Sequence, residues 1–128
     1  MSLTGSILKE ILQSKECSVG KYLSPMFCND ERGVMIEYYI TPVVTKSKSD
    51  ILIISKIVNG NWYEALLNIE NIVKSIKDHY NLITDEYTVI LHAYFDVVEL
   101  ENFYVVDVKD KYMLHKLKLS EFEKILSN

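Results

Sequence analysis

The chain has 128 residues, of which 48% are hydrophobic and 25% are charged, and its formal net charge is -4 at pH 7. This length and composition predict a single globular domain over residues 1–128 with one hydrophobic core. The acidic balance argues against a uniformly basic nucleic-acid-binding protein, so we expect no specific nucleic-acid binding. The sequence has no membrane-length apolar run and no signal-peptide pattern, so we expect no membrane contact and a cytoplasmic location on synthesis.

The N-terminal quarter of the chain combines a short helical pattern with an irregular stretch. Apolar residues at helical spacing predict a first helix that ends near Ser14, with Thr4 or Ser6 as its N-cap. Residues 15–32 contain Pro25 and further turn-forming residues, and they are predicted to form an adaptable loop.

Two strands are predicted next, joined by the polar segment 45–50. Apolar and polar residues alternate from Gly33, which predicts a half-buried strand, and Pro42 is expected to end its regular hydrogen bonding. Residues 51–58 are apolar on both faces apart from a central Ser-Lys pair, which places this second strand in the middle of a sheet.

A long amphipathic helix is predicted over residues 62–80, with Asn59 or Asn61 as its cap. Glu70 and Lys74 are placed four residues apart on its polar side and are expected to form an ion pair. A single apolar stripe is typical of a helix that lies on one face of a sheet. The stripe consists of Trp62, Leu66, Ile69, Val73, Ile76 and Tyr80.

The C-terminal third returns to the two-residue period of strands. Strands are predicted over residues 87–98, 103–108 and 112–119, followed by a short helix capped by Ser120. The element order is therefore α-β-β-α-β-β-β-α. It predicts the α+β class, with an antiparallel or mixed sheet of about five strands, one long helix on a face, and short N- and C-terminal helices.

Histidines and cysteines do not form a recognisable metal-binding motif. His79, His92 and His115 lack the spacing of metal ligands, so we expect surface or half-buried histidines and no metal site. Cys17 and Cys28 are not arranged as C-x-x-C, and we expect reduced, structural thiols, although one disulfide between them is the open alternative.

One pattern suggests nuclease chemistry. Asp96, Asp107 and Lys109 imitate an acidic residue followed by D-x-K, in which two carboxylates hold Mg²⁺ and the lysine orients water. A nuclease core of that kind needs a further helix and strand after the lysine, and the chain is too short for them. The sequence also lacks nucleophile and phosphate-binding motifs. We therefore expect a protein that is not an enzyme, with no catalytic residue and no cofactor.

Aromatic residues point to contacts between proteins. Tyr39, Tyr94 and Tyr104 are predicted to face away from the apolar side of their strands. Tyrosine suits interfaces because it buries a large area and keeps a polar tip. Lys46 and Lys48 of the polar connection are expected at the rim of the same interface, where charge tunes association.

The run "VMIEYYITPVVTKSKSDILIISKIVNGNWYEALLNIENIVKSI" resembles the tail-terminator (tail-completion) proteins of long-tailed phages and of phage-derived contractile tail particles. The resemblance lies in chain length and in the order of helices and strands. It implies a structural protein without catalytic residues, which forms a homo-oligomer, usually a hexameric ring, caps the tail tube and joins the virion or tail-like particle. The alternatives are a roadblock- or longin-like dimerisation module with the same element order, and a small acidic chaperone or immunity protein that binds one partner.

Overall fold

A computed structural model describes residues 6–20, 25–58, 68–80, 86–95 and 98–128 of the chain. Within these ranges lie three helices and seven strands. The helices are α1 (Ser6–Ser14), α2 (Ile69–Tyr80) and α3 (Leu119–Leu126); the strands are β1 (Ser18–Val19), β2 (Met26–Asn29), β3 (Met35–Val44), β4 (Asp50–Val58), β5 (Thr88–Phe95), β6 (Leu100–Asp107) and β7 (Met113–Leu117).

The strands form one mixed sheet in the order β1-β3-β4-β5-β6-β7, and β2 pairs with the first part of β3. Every neighbouring pair is antiparallel except β4 and β5, which are parallel. Parallel neighbours need a crossover connection, and α2 lies in the chain between these two strands. The predicted α+β class is confirmed, whereas the expected number of about five strands is imprecise, because the described ranges contain seven strands of the sheet.

The helices cover the two faces of the sheet. On one face, α2 packs against the even-numbered core positions of β3 and β4; Ile69 and Val73 of α2 are 4% and 0% exposed. On the other face, α1 and α3 pack through Leu8, Ile11 and Phe122. The predicted apolar stripe is confirmed for Ile69, Val73 and Ile76. The predicted first turns, with Trp62, Leu66 and the two asparagine caps, fall outside the described residues, and the side chain of Tyr80 is not described.

Of two polar features predicted for the helices, the ion pair of α2 is present and the serine cap of the last helix is not. The ion pair of α2 is confirmed, with Glu70 Oε1 3.3 Å from Lys74 Nζ. The last helix begins at Leu119, so Ser120 lies in its first turn and is not the cap. The backbone N–H of Lys118 donates to Glu121 Oε1 at 2.8 Å, so a first-turn glutamate closes this helix end instead of a serine.

The segment 15–32 contains two short strands where a loop was predicted. β1 and β2 line the edge of β3 that faces away from β4. Their backbone groups find hydrogen-bond partners on β3, and local sequence patterns do not reveal such long-range pairing. The same edge explains why β3 continues through Pro42. The Pro42 carbonyl accepts the Gly20 N–H at 2.8 Å, so its backbone faces β1, and its missing N–H leaves the ladder to β4 intact.

Gly20 is packed too closely against β3 to carry a side chain. A Cβ atom there would lie 2.6 Å from Pro42 Cγ, which belongs to a rigid ring. We expect Gly20→Ala to lower the free energy of unfolding by about 1–3 kcal/mol, the usual cost of overpacking. Urea unfolding measures this, with Ser18→Ala at an exposed position of the same edge as the control. Equal midpoints for the two variants would contradict the close packing of this segment on Pro42.

The C-terminal strands lie in the predicted order: β5 and β7 are shorter than predicted, whereas β6 begins three residues earlier than predicted. β5 and β6 are joined through a turn that includes Val98, and β6 continues into β7 through a second turn. Lys111 and Tyr112 in that second turn adopt left-handed φ angles of 52° and 58°. No helix in the described ranges is long and apolar enough to span a membrane.

Candidate functional site: a buried serine–histidine–glutamate row

Three polar side chains from adjacent strands form a row beneath α1 and α3. Ser55 of β4 lies opposite His92 of β5 in the parallel register, and Glu101 comes from β6. They are 0%, 0% and 8% exposed. Ser55 Oγ lies 2.9 Å from His92 Nδ1, and His92 Nε2 lies 2.9 Å from Glu101 Oε1. The row therefore crosses three neighbouring strands inside the core.

The row ends at the N-terminus of α1. The backbone N–H groups of Ile7 and Leu8 donate to Glu101 Oε2 and Oε1 at 3.0 and 3.2 Å. A helix leaves its first N–H groups without internal acceptors and carries partial positive charge at that end. Glu101 therefore caps α1 from a strand more than ninety positions away in the chain. The predicted caps, Thr4 and the side chain of Ser6, lie outside what the structure describes.

One tautomer of a neutral His92 ring matches every hydrogen bond of this row. Ser55 Oγ–H then donates to His92 Nδ1, and His92 Nε2–H donates to Glu101, so each polar hydrogen has an acceptor. Burial raises the pKa of Glu101, but the hydrogen bonds from His92, Ile7 and Leu8 outweigh it and hold that pKa below its ordinary value. Glu101 is therefore a carboxylate at neutral pH.

A serine, a histidine and a carboxylate in line resemble the groups of nucleophilic catalysis. Here, however, the Ser55 hydroxyl is completely buried and cannot meet a substrate. An open cleft of about 570 Å³ lies at the opposite end of the row, beside Glu101, Lys116 and Glu121. Both Glu101 oxygens already accept hydrogen bonds, so the cleft meets no free reacting atom of the row. The arrangement is suited to holding elements together.

Aromatic stacking extends the row to the last helix. The His92 ring stacks on Phe103 with centroids 5.0 Å apart, and Phe103 stacks on Phe122 of α3 with centroids 4.2 Å apart. The row and this stack together join β4, β5 and β6 to both terminal helices. A change in the row is therefore expected to loosen the whole α1–α3 face.

The expectation of surface or half-buried histidines is wrong for His92. A histidine that alternates with apolar residues looks half-buried, and its partners Ser55 and Glu101 are not recognisable until the strands are aligned. His115 is exposed on β7, and the side chain of His79 is not described. In the described part of the chain, no three residues of the His, Cys, Asp or Glu types are grouped to hold a metal ion.

Both cysteines are free and half-buried. Burial raises the pKa of Cys17, and burial is also the largest influence on Cys28, whose pKa is raised despite the nearby Lys56 ammonium. Both therefore stay protonated at neutral pH, as expected for structural thiols.

The D-x-K pattern is part of a turn. Asp107 Oδ1 accepts the backbone N–H groups of Lys109 and Asp110, each at 3.2 Å. This side chain therefore helps to close the connection between β6 and β7. Asp96 lies outside the described residues, so the carboxylate pair of the nuclease hypothesis cannot be assembled from the described chain.

The predicted interface tyrosines are placed unequally. Tyr104 is 8% exposed and packs in the core beneath α2, so the expectation that it faces away from the apolar set is wrong. Tyr39 is 5% exposed, and its hydroxyl donates to Glu37 Oε1 at 2.9 Å, so it also offers little surface. Tyr94 is half-buried near the end of β5. Long-range packing on both faces of the sheet explains the difference from the strand pattern.

The two predicted rim lysines lie in the connection between β3 and β4. Lys46 Nζ lies 3.0 Å from Glu16 Oε2, and both side chains are largely exposed. Lys48 is exposed and has a left-handed φ of 69°, which marks the turn itself. Their role at an interface remains a prediction.

Exposed apolar side chains are found at both ends of the sheet. At the β2–β3 end, which we call the hairpin patch, Phe27, Val34 and Met35 are 54%, 52% and 67% exposed. At the β7 end, Met113 is 55% exposed and lies among the exposed lysines of residues 109–118, and we call this combination the edge patch. The clustered apolar residues of the hairpin patch are typical of a contact site. Other exposed apolar residues lie outside the two patches: Val19, Val98, Leu100 and Leu119.

The two patches also differ in charge. The hairpin segment 27–37 contains three carboxylates and one arginine, whereas the segment 109–118 along β7 contains four lysines and one aspartate. All four of those lysines are exposed. An acidic protein therefore presents one basic strip at the edge of its sheet. Comparisons with protein-family models, curated proteins and solved structures find no match for this chain.

Proposed function

We propose that the protein is a non-catalytic assembly protein that forms a homo-oligomeric ring and caps the tube of a phage tail or a phage-like tail particle. The observation that carries the proposal is the pair of unlike exposed patches at opposite ends of one sheet. A ring with head-to-tail contacts requires two different surfaces on each subunit, whereas a symmetric dimer needs only one self-complementary surface.

Two further observations agree with this proposal. Ser55 and His92 are completely buried and Glu101 binds the start of α1, so the row holds a helix on the sheet and offers no exposed nucleophile. The resemblance of the strand-turn-helix segment to tail-terminator proteins implies the same kind of role. The partners are then further copies of this chain and a tail-tube protein.

Electron microscopy of the purified chain, alone and mixed with tubes of a candidate tail-tube protein found among its genomic neighbours, tests the proposal. We expect rings with a central opening, and rings seated on one end of the tubes. Tubes incubated without the chain serve as the control. If the chain remains a strict dimer and does not bind to the tube ends, the dimerisation module is supported instead. A monomer that binds a single effector or toxin would support the chaperone or immunity protein.

A further inference from the structure

The outermost strands of the sheet offer pairing edges at both ends. β7 pairs only with β6, and β2 only with β3, within the described part of the chain. β2 has four residues and β7 has five, so the two strands match in length. An outer strand presents backbone N–H and C=O groups that can accept another strand.

Side chains at the two ends are complementary as well. Strand alternation places Phe27 and Met35 on the face that carries α1 and α3, and it places Met113 on the same face of β7. If β7 of one copy lay beside β2 of the next, Met113 would meet the exposed apolar surface of the hairpin patch. Apolar contact and backbone pairing would then occur at one junction.

Charge selects between the possible pairings of these edges. Asp30 and Arg32 of the hairpin pair with each other at 3.2 Å, so its net acidic charge lies on the exposed Glu31 and Glu37, of which Glu37 also accepts the Tyr39 hydroxyl. Lysines at a sheet edge discourage the pairing of two like edges, so β7 is unsuited to meet another β7. The same lysines attract an acidic hairpin. Charge therefore favours a head-to-tail contact over a symmetric one.

We infer that the subunit contact of the ring is formed by the edge patch of one copy and the hairpin patch of the next, with β7 alongside β2 so that the sheets continue from subunit to subunit. This inference rests on the proposed function. It adds the identity of the two surfaces, their order around the ring and the role of charge in choosing that order.

Charge reversal on each side separately tests the inference. One variant carries Glu31→Lys and Glu37→Lys, and the other carries Lys109→Glu and Lys116→Glu. Each variant alone places like charges at every junction, and we expect the dissociation constant of the ring to rise roughly tenfold or more at low salt. Mixed in equal amounts, the two variants place opposite charges at every junction of an alternating ring, and we expect assembly to return. Sedimentation velocity over a concentration series measures both effects.

Controls separate a contact effect from misfolding. Lys9→Glu with Lys124→Glu makes the same change of charge as the β7 variant, at exposed helix positions, and should leave assembly unchanged. Because Tyr39 donates to Glu37, thermal melting checks the hairpin variant, and Glu31→Lys alone should give a smaller effect in the same direction. Recovery in the mixture supports the inference.

Two other results would overturn it. If neither charge reversal changes ring assembly, or if both weaken it and the mixture does not restore it, these two surfaces do not form the contact, although the chain still forms a ring. A wild-type chain that stays monomeric at every concentration would reject the ring and the contact together.

Discussion

Val73→Asp is expected to leave the protein largely unfolded at room temperature. Val73 is 0% exposed and packs between α2 and the sheet, so the variant both loses apolar burial and places a carboxylate in the apolar core. A buried, unpaired carboxylate alone costs several kcal/mol. The free energy of unfolding of a domain is about 5–15 kcal/mol, so this loss removes a large share of it.

The neighbouring position provides a matched control for that variant. Lys74→Asp introduces the same side chain one residue later, at an exposed position of the same helix. Because it only removes the exposed ion pair with Glu70, we expect the free energy of unfolding to fall by less than about 1 kcal/mol. Circular dichroism and thermal melting compare the two. Similar melting temperatures would show that α2 is not packed on the sheet through Val73.

Glu101→Leu is expected to be the most damaging change in the polar row. It leaves His92 Nε2–H and the two N–H groups at the start of α1 without their acceptors. Breaking one partner of a buried pair typically costs about 3–5 kcal/mol. Glu101→Gln keeps the shape of the side chain and one acceptor oxygen, so it should lower the free energy of unfolding by less. Urea unfolding measures both variants, and hydrogen exchange should show α1 opening first in Glu101→Leu.

The dependence on pH provides a second readout of the same carboxylate. Because the folded state lowers the pKa of Glu101, the unfolded chain binds its proton more readily. The stability from Glu101 is therefore fully present above its unfolded pKa and is lost as the pH falls through the lower, folded pKa. We expect the loss of stability between about pH 5 and pH 3 to be shallower in Glu101→Gln than in the wild type. Glu10→Gln, on the exposed side of α1, should retain the wild-type slope. If stability falls with pH at the same slope in the wild type and in both variants, the role of Glu101 is contradicted.

A double-mutant cycle separates the pair from its surroundings. His92→Leu removes the imidazole N–H that donates to Glu101. In the double variant His92→Leu/Glu101→Leu both the donor and the acceptor are gone, so no imidazole N–H is left buried without a partner. We expect the double variant to lose clearly less stability than the sum of the two single losses. Additive losses would mean that His92 and Glu101 do not act as a unit.

Local patterns in the sequence were sufficient to predict the long elements of the fold. The stripe around Ile69 and Val73 predicted the face that α2 buries, and the doubly apolar run 51–58 predicted the central strand β4. These elements are long enough for the period of their apolar residues to be unambiguous. The α+β class follows from their order.

Short strands and long-range polar contacts could not be predicted in this way. β1 has two residues and exists because β3 offers it an edge, and Pro42 is tolerated because its backbone faces that edge. The row of Ser55, His92 and Glu101 depends on the parallel register of β4 and β5, which no local pattern encodes. The alternation of His92 with apolar neighbours was the one available signal, and it did not identify its partners.

Native mass spectrometry of the purified chain measures directly whether it assembles into a ring. We expect a dominant species of six copies of the 14.9 kDa chain at micromolar concentration, which loses subunits on dilution or at high salt. Masses of only one or two copies, unchanged across the concentration series, would contradict it.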